Sequence, residues 1–224
     1  MRPVDKGHKD KEYRPYTTAK RDLIEAIGPY CSYCERNILS GGAVEHKQPK
    51  SKVRSLEYSW DNFLLGCINC NSIKGSADVN DANIRDFVWP DTDDTYHMIQ
   101  YDPVTLMPSP ADNLSDEDKE RVSRLIGLVG LDRPVPKEGS LTYRKASDTR
   151  VEKRKKCAEE ARSYKEMYLD LVEDAKPAFI TTLEYIVKSS GYWSIWMHEF
   201  EDIPEMREAL LHCLPGTRID LFEY

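Results

Sequence analysis

Two pairs of cysteines have the clearest potential for chemistry in this chain. Cys31 and Cys34 form one C-x-x-C pair, and Cys67 and Cys70 form the second. Each pair places two sulfur atoms at a spacing that suits tetrahedral zinc. The 32 residues between the pairs exceed the separation of about 15–20 residues in common zinc ribbons. The pattern predicts a structural zinc site with four thiolate ligands, and the long insert is expected to have a role of its own.

Four polar residues lie inside or directly beside this insert: Glu45, His46, Asn62 and Asn71. Carboxylate and carboxamide oxygens suit a hard divalent cation such as Mg²⁺ or Mn²⁺. An imidazole that is neutral near pH 7 can take a proton from water. A Glu-His pair alone is common on protein surfaces, so its meaning depends on its place between the cysteine pairs. The set predicts a catalytic cation site close to the zinc.

Basic side chains accompany these residues. Lys50, Lys52 and Arg54 follow His46 closely, and Lys74 lies one helical turn after Asn71. Lysine and arginine at such places can contact the phosphates of a nucleic acid. Charge runs are also common on solvated faces, and Lys74 could equally be an ordinary surface lysine. We expect nucleic-acid contact from all four.

The charge of the chain is divided unevenly. The 224 residues carry 32 lysines and arginines against 39 acidic residues, a net charge of −7. Residues 1–74 have 13 basic against 9 acidic residues, whereas the remainder has 19 against 30. The first part could therefore meet phosphates, and the second should avoid them. The acidic part either faces a protein partner or is simply solvated.

The chain has the features of a cytoplasmic protein. It contains no apolar run of membrane-spanning length and no signal peptide at residue 1. We therefore expect a cytoplasmic location and no membrane contact. In that compartment paired cysteines are more often metal ligands than disulfides.

Sequence periodicity predicts an α+β fold. Residues 1–16 have the character of an extended arm, a helix is expected over 19–27, a strand over 43–46 and a helix from residue 67. Short strands or a hairpin that turns at 91–94 are expected within 87–101. Further helices are predicted over 115–129, 144–175, 178–188 and 203–214.

Three segments resemble the ββα-metal core of the HNH endonucleases. They are VEHKQPKS at 44–51, WDNFLL at 60–65 and CINCNSIKG at 67–75. The resemblance implies that His46 is the general base, that Asn62 braces the loop that orients it, and that Glu45 and Asn71 hold the catalytic cation. Glu replaces the frequent Asp at position 45, and Asn replaces the frequent His at position 71.

Further motifs resemble one branch of that family, the PtuB-like HNH subunits of Septu-type anti-phage systems, which also occur with retrons. The motifs lie at 1–7, 30–35, 62–65, 87–90 and 196–210. This resemblance implies an ATPase subunit of the SMC/ABC-like type as partner, and therefore a hetero-oligomer. Composition and spacing do not show that partner.

We therefore predict an arm and a zinc-stapled ββα-metal HNH nuclease core over 1–112, followed by a mostly helical, partner-docking part over 113–224. Trp193, Trp196, Met197 and Phe200 are expected either to fill a local core or to meet a partner, and the resemblance favours a partner for some of them. The expected function is metal-dependent hydrolysis of nucleic acid, DNA by preference, in phage defence. The alternatives are an RNA (tRNA) nuclease and a non-catalytic zinc-ribbon binding or scaffold subunit.

Overall fold

A small ββα unit forms the centre of the first part of the protein. The computed structural model describes residues 1–134 and 148–222. Strands β1 (Gly42–His46) and β2 (Phe63–Cys67) pair antiparallel, and β2 leads directly into helix α2 (Ile68–Lys74). The preceding helix α1 (Ala19–Ile27) packs its apolar side on this unit and ends at Gly28, where φ is +75°. The predicted helix at 19–27, the strand ending at His46 and the helix after Cys67 are confirmed.

The segment from 87 to 110 differs from its prediction. Helix α3 (Thr95–Met98) precedes strand β3 (Ile99–Tyr101), which pairs with β4 (Pro108–Pro110). The expected hairpin with its turn at 91–94 is wrong. Asp94 instead caps α3, because its carboxylate accepts a hydrogen bond from the backbone N–H of His97.

Helices dominate the rest of the described chain. They are α4 (Asp116–Val129), α5 (Arg150–Leu169), α6 (Lys176–Ser190), α7 (Trp193–Glu199) and α8 (Pro204–Cys213). For the helix predicted over 144–175, the start at 144 lies outside the described residues; the observed helix begins at Arg150 and ends at Leu169 rather than continuing to 175. The helical character of this part is confirmed, and no described helix is long and apolar enough to cross a membrane.

Two hydrophobic clusters fill the interior. The first joins α1, β1, β2 and α2 to the buried face of α4, and the second lies among α5 to α8. Helix α4 therefore packs with the ββα unit, although the predicted division at 112 places it in the helical part. Trp193, Trp196, Met197 and Phe200 are each at most 1% exposed. They fill the second cluster, which is the core alternative, and they offer no surface to a partner.

The N-terminal segment is extended, as predicted, but it is anchored rather than free. The Val4 N–H donates to the carbonyl of Pro90 at 2.7 Å, and Val4 also forms an antiparallel bridge with Thr217. The Arg2 guanidinium donates to the carbonyl of Pro215 at 2.9 Å. This segment connects the beginning of the chain to its end.

Candidate active site

The four predicted zinc ligands meet at one buried point. The sulfur atoms of Cys31, Cys34, Cys67 and Cys70 all lie within 4.8 Å of one another. The Cys34 and Cys67 sulfurs are 3.6 Å apart. Zinc–sulfur bonds of about 2.3 Å in a tetrahedron separate the sulfurs by about 3.8 Å, so the cluster has the right size for zinc. No disulfide joins these cysteines.

The surroundings of the cluster favour a bound cation. Burial raises the pKa of the Cys31 and Cys70 thiols, because a thiolate is costly away from water. A zinc ion offsets that cost with its own charge. The Cys67 N–H donates to the Cys31 sulfur at 3.3 Å, which orients that sulfur toward the cluster. Four sulfur donors suit zinc and do not suit magnesium.

Glu45 is held on both sides of its carboxylate. It lies near the end of β1, is 3% exposed and is paired in register with Leu64. The Lys74 ammonium contacts Oε1 at 2.7 Å, and the Tyr33 hydroxyl donates to Oε2 at 2.5 Å. Burial raises the pKa of Glu45, against the opposing effect of Lys74. Each carboxylate oxygen retains a second lone pair that could coordinate a cation.

Lys74 therefore has a different place from the one the sequence suggested. Its ammonium is buried and also donates to the carbonyl of His46 at 2.6 Å. It joins the last turn of α2 to the end of β1. The structure places this lysine against Glu45 and not on the surface, where we expected it to meet phosphate.

His46 is the last residue of β1 and is fixed by three neighbours. Its Nε2 atom lies 3.0 Å from the carbonyl oxygen of Glu57. Its ring lies edge-on to Tyr16 and Phe63, with ring centroids at 4.7 Å and 5.1 Å. Burial lowers the pKa of His46, so its ring is neutral at pH 7.

Asn62 closes the loop that follows His46. Its Nδ2 donates to the carbonyls of Gln48 and Leu56 at 2.9 Å and 3.3 Å, and its Oδ1 accepts from the N–H of Gln48 at 2.8 Å. Leu56 precedes Glu57, whose carbonyl meets His46. This geometry is the one expected of a residue that braces the loop.

A cleft of about 240 Å³ brings the remaining predicted residues together. Glu45, His46, Asn71 and Lys50 all line it. A β-carbon added at Gly66 would lie 3.1 Å from Cβ of Glu45 and 3.5 Å from Cβ of Asn71. Glycine at this place in β2 therefore leaves the room in which the two side chains approach each other.

The other basic residues remain accessible. Lys50, Lys52 and Arg54 are all exposed on the loop between His46 and Glu57. Lys50 lies 3.7 Å from the Glu57 carboxylate and over the ring of Tyr16. Their contact with nucleic acid stays a prediction, as do the individual roles of the other site residues.

Sequence reasoning missed four residues of the site: Tyr16, Tyr33, Glu57 and Gly66. Two of them had a usable signal. Tyr33 lies between Cys31 and Cys34, and an isolated glycine inside a strand pattern, such as Gly66, often marks a close approach. Tyr16 and the Glu57 carbonyl reach His46 only through the tertiary fold.

Two antiparallel strands and a helix, with a neutral histidine and a carboxylate at one end and four cysteines at the other, define a ββα hydrolytic unit. Residues 31–77 match the sequence profile of the HNH endonuclease family. The chain thus contains an HNH domain, whose family hydrolyses phosphodiesters, and the predictions of an HNH fold and of nuclease activity are confirmed. A search of curated proteins finds no match.

Proposed function

We propose that this protein is the HNH endonuclease subunit of an anti-phage defence system, that it cuts DNA, and that it works together with an ATPase subunit. The state of His46 is the observation that best supports the catalytic part. The HNH match over residues 31–77 gives the class of reaction. The resemblance to Septu-type subunits supports the partner and the biological role.

The hydrogen bond of His46 to Glu57 determines which of its two ring nitrogens carries the hydrogen. The Glu57 carbonyl oxygen can only accept, so Nε2 of His46 must carry the hydrogen at this 3.0 Å contact. Nδ1 then keeps its lone pair and is the atom that can receive a proton. The lowered pKa keeps this form at neutral pH.

The proposed reaction is hydrolysis of one phosphodiester bond. Water adds its oxygen to phosphorus while Nδ1 of His46 receives the water proton, and the bond from phosphorus to the leaving oxygen breaks. Solvent protonates the leaving oxygen, and His46 later returns its proton to solvent. Asn62 supports this step indirectly because it fixes the loop that presents the Glu57 carbonyl.

Glu45 and Asn71 are the residues that would hold a catalytic divalent cation. Both line the cleft with His46, and their donor atoms are oxygens, which fit Mg²⁺ or Mn²⁺. When bound, such an ion stabilises negative charge that develops on the phosphate. Lys74 and Tyr33 hold the Glu45 carboxylate in place beforehand.

The charge around the cleft supports a polyanionic substrate. Lys50, Lys52 and Arg54 stand exposed beside it. Arg54 forms no ion pair with any residue in the described ranges. Basic groups of this kind bind phosphates without regard to sequence.

The partner proposal needs a surface other than the buried tryptophans. Met167, Leu169 and Val172 are between 54% and 72% exposed, at the connection of α5 to α6. Exposed apolar residues that lie together often mark a contact with another protein. We propose this end of the helical part as the docking site of the ATPase subunit.

The decisive experiment compares cleavage of DNA and RNA by the purified protein, with and without the ATPase, in Mg²⁺ or Mn²⁺. We expect DNA cleavage, and His46→Ala should reduce its rate by about 10²–10⁴-fold. His212→Ala is the matched control, because His212 is 58% exposed on α8 and pairs with Glu208. It should cut at the wild-type rate.

Three outcomes would contradict parts of the proposal. If His46→Ala cuts at the same rate as the wild type, His46 is not the general base. Cleavage of RNA alone would replace the DNA assignment. If the protein cuts at its full rate alone and does not bind the ATPase, the proposal of an ATPase partner is wrong.

A further inference from the structure

A buried arginine from the helical part reaches the cysteine cluster. Arg150 is the first residue of α5 and is 2% exposed. Its Nη1 donates to the sulfur of Cys70 at 3.2 Å and to the carbonyl of Val129 at 2.8 Å. Its Nη2 donates to the carbonyl of Gly130 at 2.7 Å and to Asp148 at 2.7 Å. One guanidinium thus joins α5, the end of α4 and the second cysteine pair.

A second arginine lies beside the same pair. Arg36 Nη1 donates at 3.3 Å to Asn69, which lies between Cys67 and Cys70. Its Nε and Nη2 atoms are buried and have no hydrogen-bond partner in the described residues. Buried polar groups normally have a partner, and the groups that act on this guanidinium are the Cys34 and Cys67 sulfurs and the Tyr192 hydroxyl.

The charge of a loaded cluster explains both arginines. Four thiolates around Zn²⁺ leave an excess of two negative charges. Buried charge of one sign is stable only beside charge of the other sign. Arg36 and Arg150 bring two positive charges to this point, and Asp148, paired with Arg150 at 2.7 Å, offsets part of them.

The cluster also lies where the helical part meets the HNH domain. On the side of the first cysteine pair, the Tyr192 N–H donates to the carbonyl of Glu35 at 3.0 Å. The Ser194 N–H donates to the Glu35 carboxylate at 2.8 Å. On the side of the second pair, Arg150 makes the contact. Both cysteine pairs are therefore attached to helices outside the HNH domain.

We propose that Arg150 is a charge partner of the metal-loaded cysteine cluster, and that metal binding thereby fixes the start of α5 on the HNH domain. Among the described residues, the hydrogen-bond partners of Arg150 lie outside the lining of the catalytic cleft, so it acts as a positioning residue and not in the cleavage chemistry. The proposal depends on metal binding by the cysteines and is independent of the nuclease reaction.

The first test measures metal affinity in matched variants. Arg150→Met removes the charge beside Cys70 and should weaken the binding of Zn²⁺ by about 10–100-fold, the usual effect of removing a group that supports a metal ligand. Arg154→Met is the control. Arg154 lies one turn later on α5, is 1% exposed, and donates to the carbonyl of Leu106 at 2.6 Å. Competition against a coloured chelator gives both affinities.

An affinity for Arg154→Met within about threefold of the wild type, beside a large loss for Arg150→Met, supports the proposal. Equal losses in the two variants would overturn it, because any buried arginine on α5 would then have the same effect. Cleavage activity does not enter this comparison.

The second test uses the wild-type protein and applies even where Arg150→Met fails to fold. Hydrogen exchange is followed before and after a chelator removes the metal. We expect the first turn of α5, at 150–154, to lose protection together with the cysteine pairs, while α8 keeps it. Protection of that first turn without metal would overturn the proposal. An equal loss throughout α8 would also overturn it, since the metal would then stabilise the whole chain.

Discussion

Gly66 offers a direct test of the catalytic cleft. An alanine β-carbon at this position would lie 3.1 Å and 3.2 Å from Cβ and Cγ of Glu45. Ordinary contacts begin near 3.4 Å, so one of the two residues must move by a few tenths of an ångström. Glu45 cannot turn away freely, because Lys74 and Tyr33 hold its two oxygens at 2.7 Å and 2.5 Å.

Two magnitudes follow for Gly66→Ala. Overpacking of a filled interior costs about 1–3 kcal/mol of unfolding free energy. A shift of a positioned carboxylate by about 1 Å can cost about 10²-fold in rate, and the smaller shift required here should cost about 10-fold or more. The substitution adds no charge and leaves the four cysteines unchanged. We therefore expect slow cleavage in a protein that folds and keeps its zinc.

The assay combines the cleavage rate, the zinc content and thermal unfolding. Gly127→Ala is the matched control, because Gly127 lies in α4 and a β-carbon added there would have no atom within 4 Å. It should cut normally and gain about 0.5–1 kcal/mol of stability from the better helix former. If Gly66→Ala cuts as fast as this control, the close approach of Glu45 to Gly66 has no catalytic meaning.

Three further predictions concern the same site. Burial lowers the pKa of His46, so the neutral base persists in more acidic solution, and the acid limb of kcat/KM should have its midpoint below about pH 6.5; a midpoint above pH 7 would contradict this. Asn62→Ala leaves buried groups of the loop unpaired and should lower the free energy of unfolding by about 1–3 kcal/mol. Cleavage should be slower, while the zinc content stays constant. If thermal unfolding is unchanged, Asn62 does not brace the loop. Lys52→Glu and Arg54→Glu should each weaken DNA binding and reduce its salt dependence. Lys156→Glu, a control at an exposed position on α5, should do neither. Equal effects of all three substitutions would indicate a general effect of charge and not contact by the two residues near the cleft.

The centre of the site could be predicted from the sequence because its signals are local. Cysteine spacing, the strand that ends at His46 and the helix that starts after Cys67 each lie within a few residues. The environment of Lys74 could not be predicted in this way. Lysine is rarely buried, and its partner Glu45 lies in a different element, so only the packing of α2 on β1 shows the ion pair.

The helical part shows a second limit. Periodicity predicted helices close to α4, α5, α6 and α8 but none over Trp193–Glu199, and it did not show which sides of the helices are covered. Trp193 and Trp196 lie on α7, which is covered by both α5 and α8. A helix enclosed on several sides loses the contrast between its faces. The sequence alone then does not distinguish its core aromatic residues from aromatic residues that bind a partner protein.

The contact between the first and last segments affects the order of folding. Val4 pairs with Thr217, and the Asp5 N–H donates to the carbonyl of Gly216 at 2.8 Å. Contacts this distant in sequence form late, because the whole intervening chain must first be ordered. During synthesis the HNH domain at 31–77 can close around its metal well before residues 216 and 217 emerge from the ribosome. The HNH fold is thus expected to exist for a time on a chain whose N-terminal segment is not yet anchored.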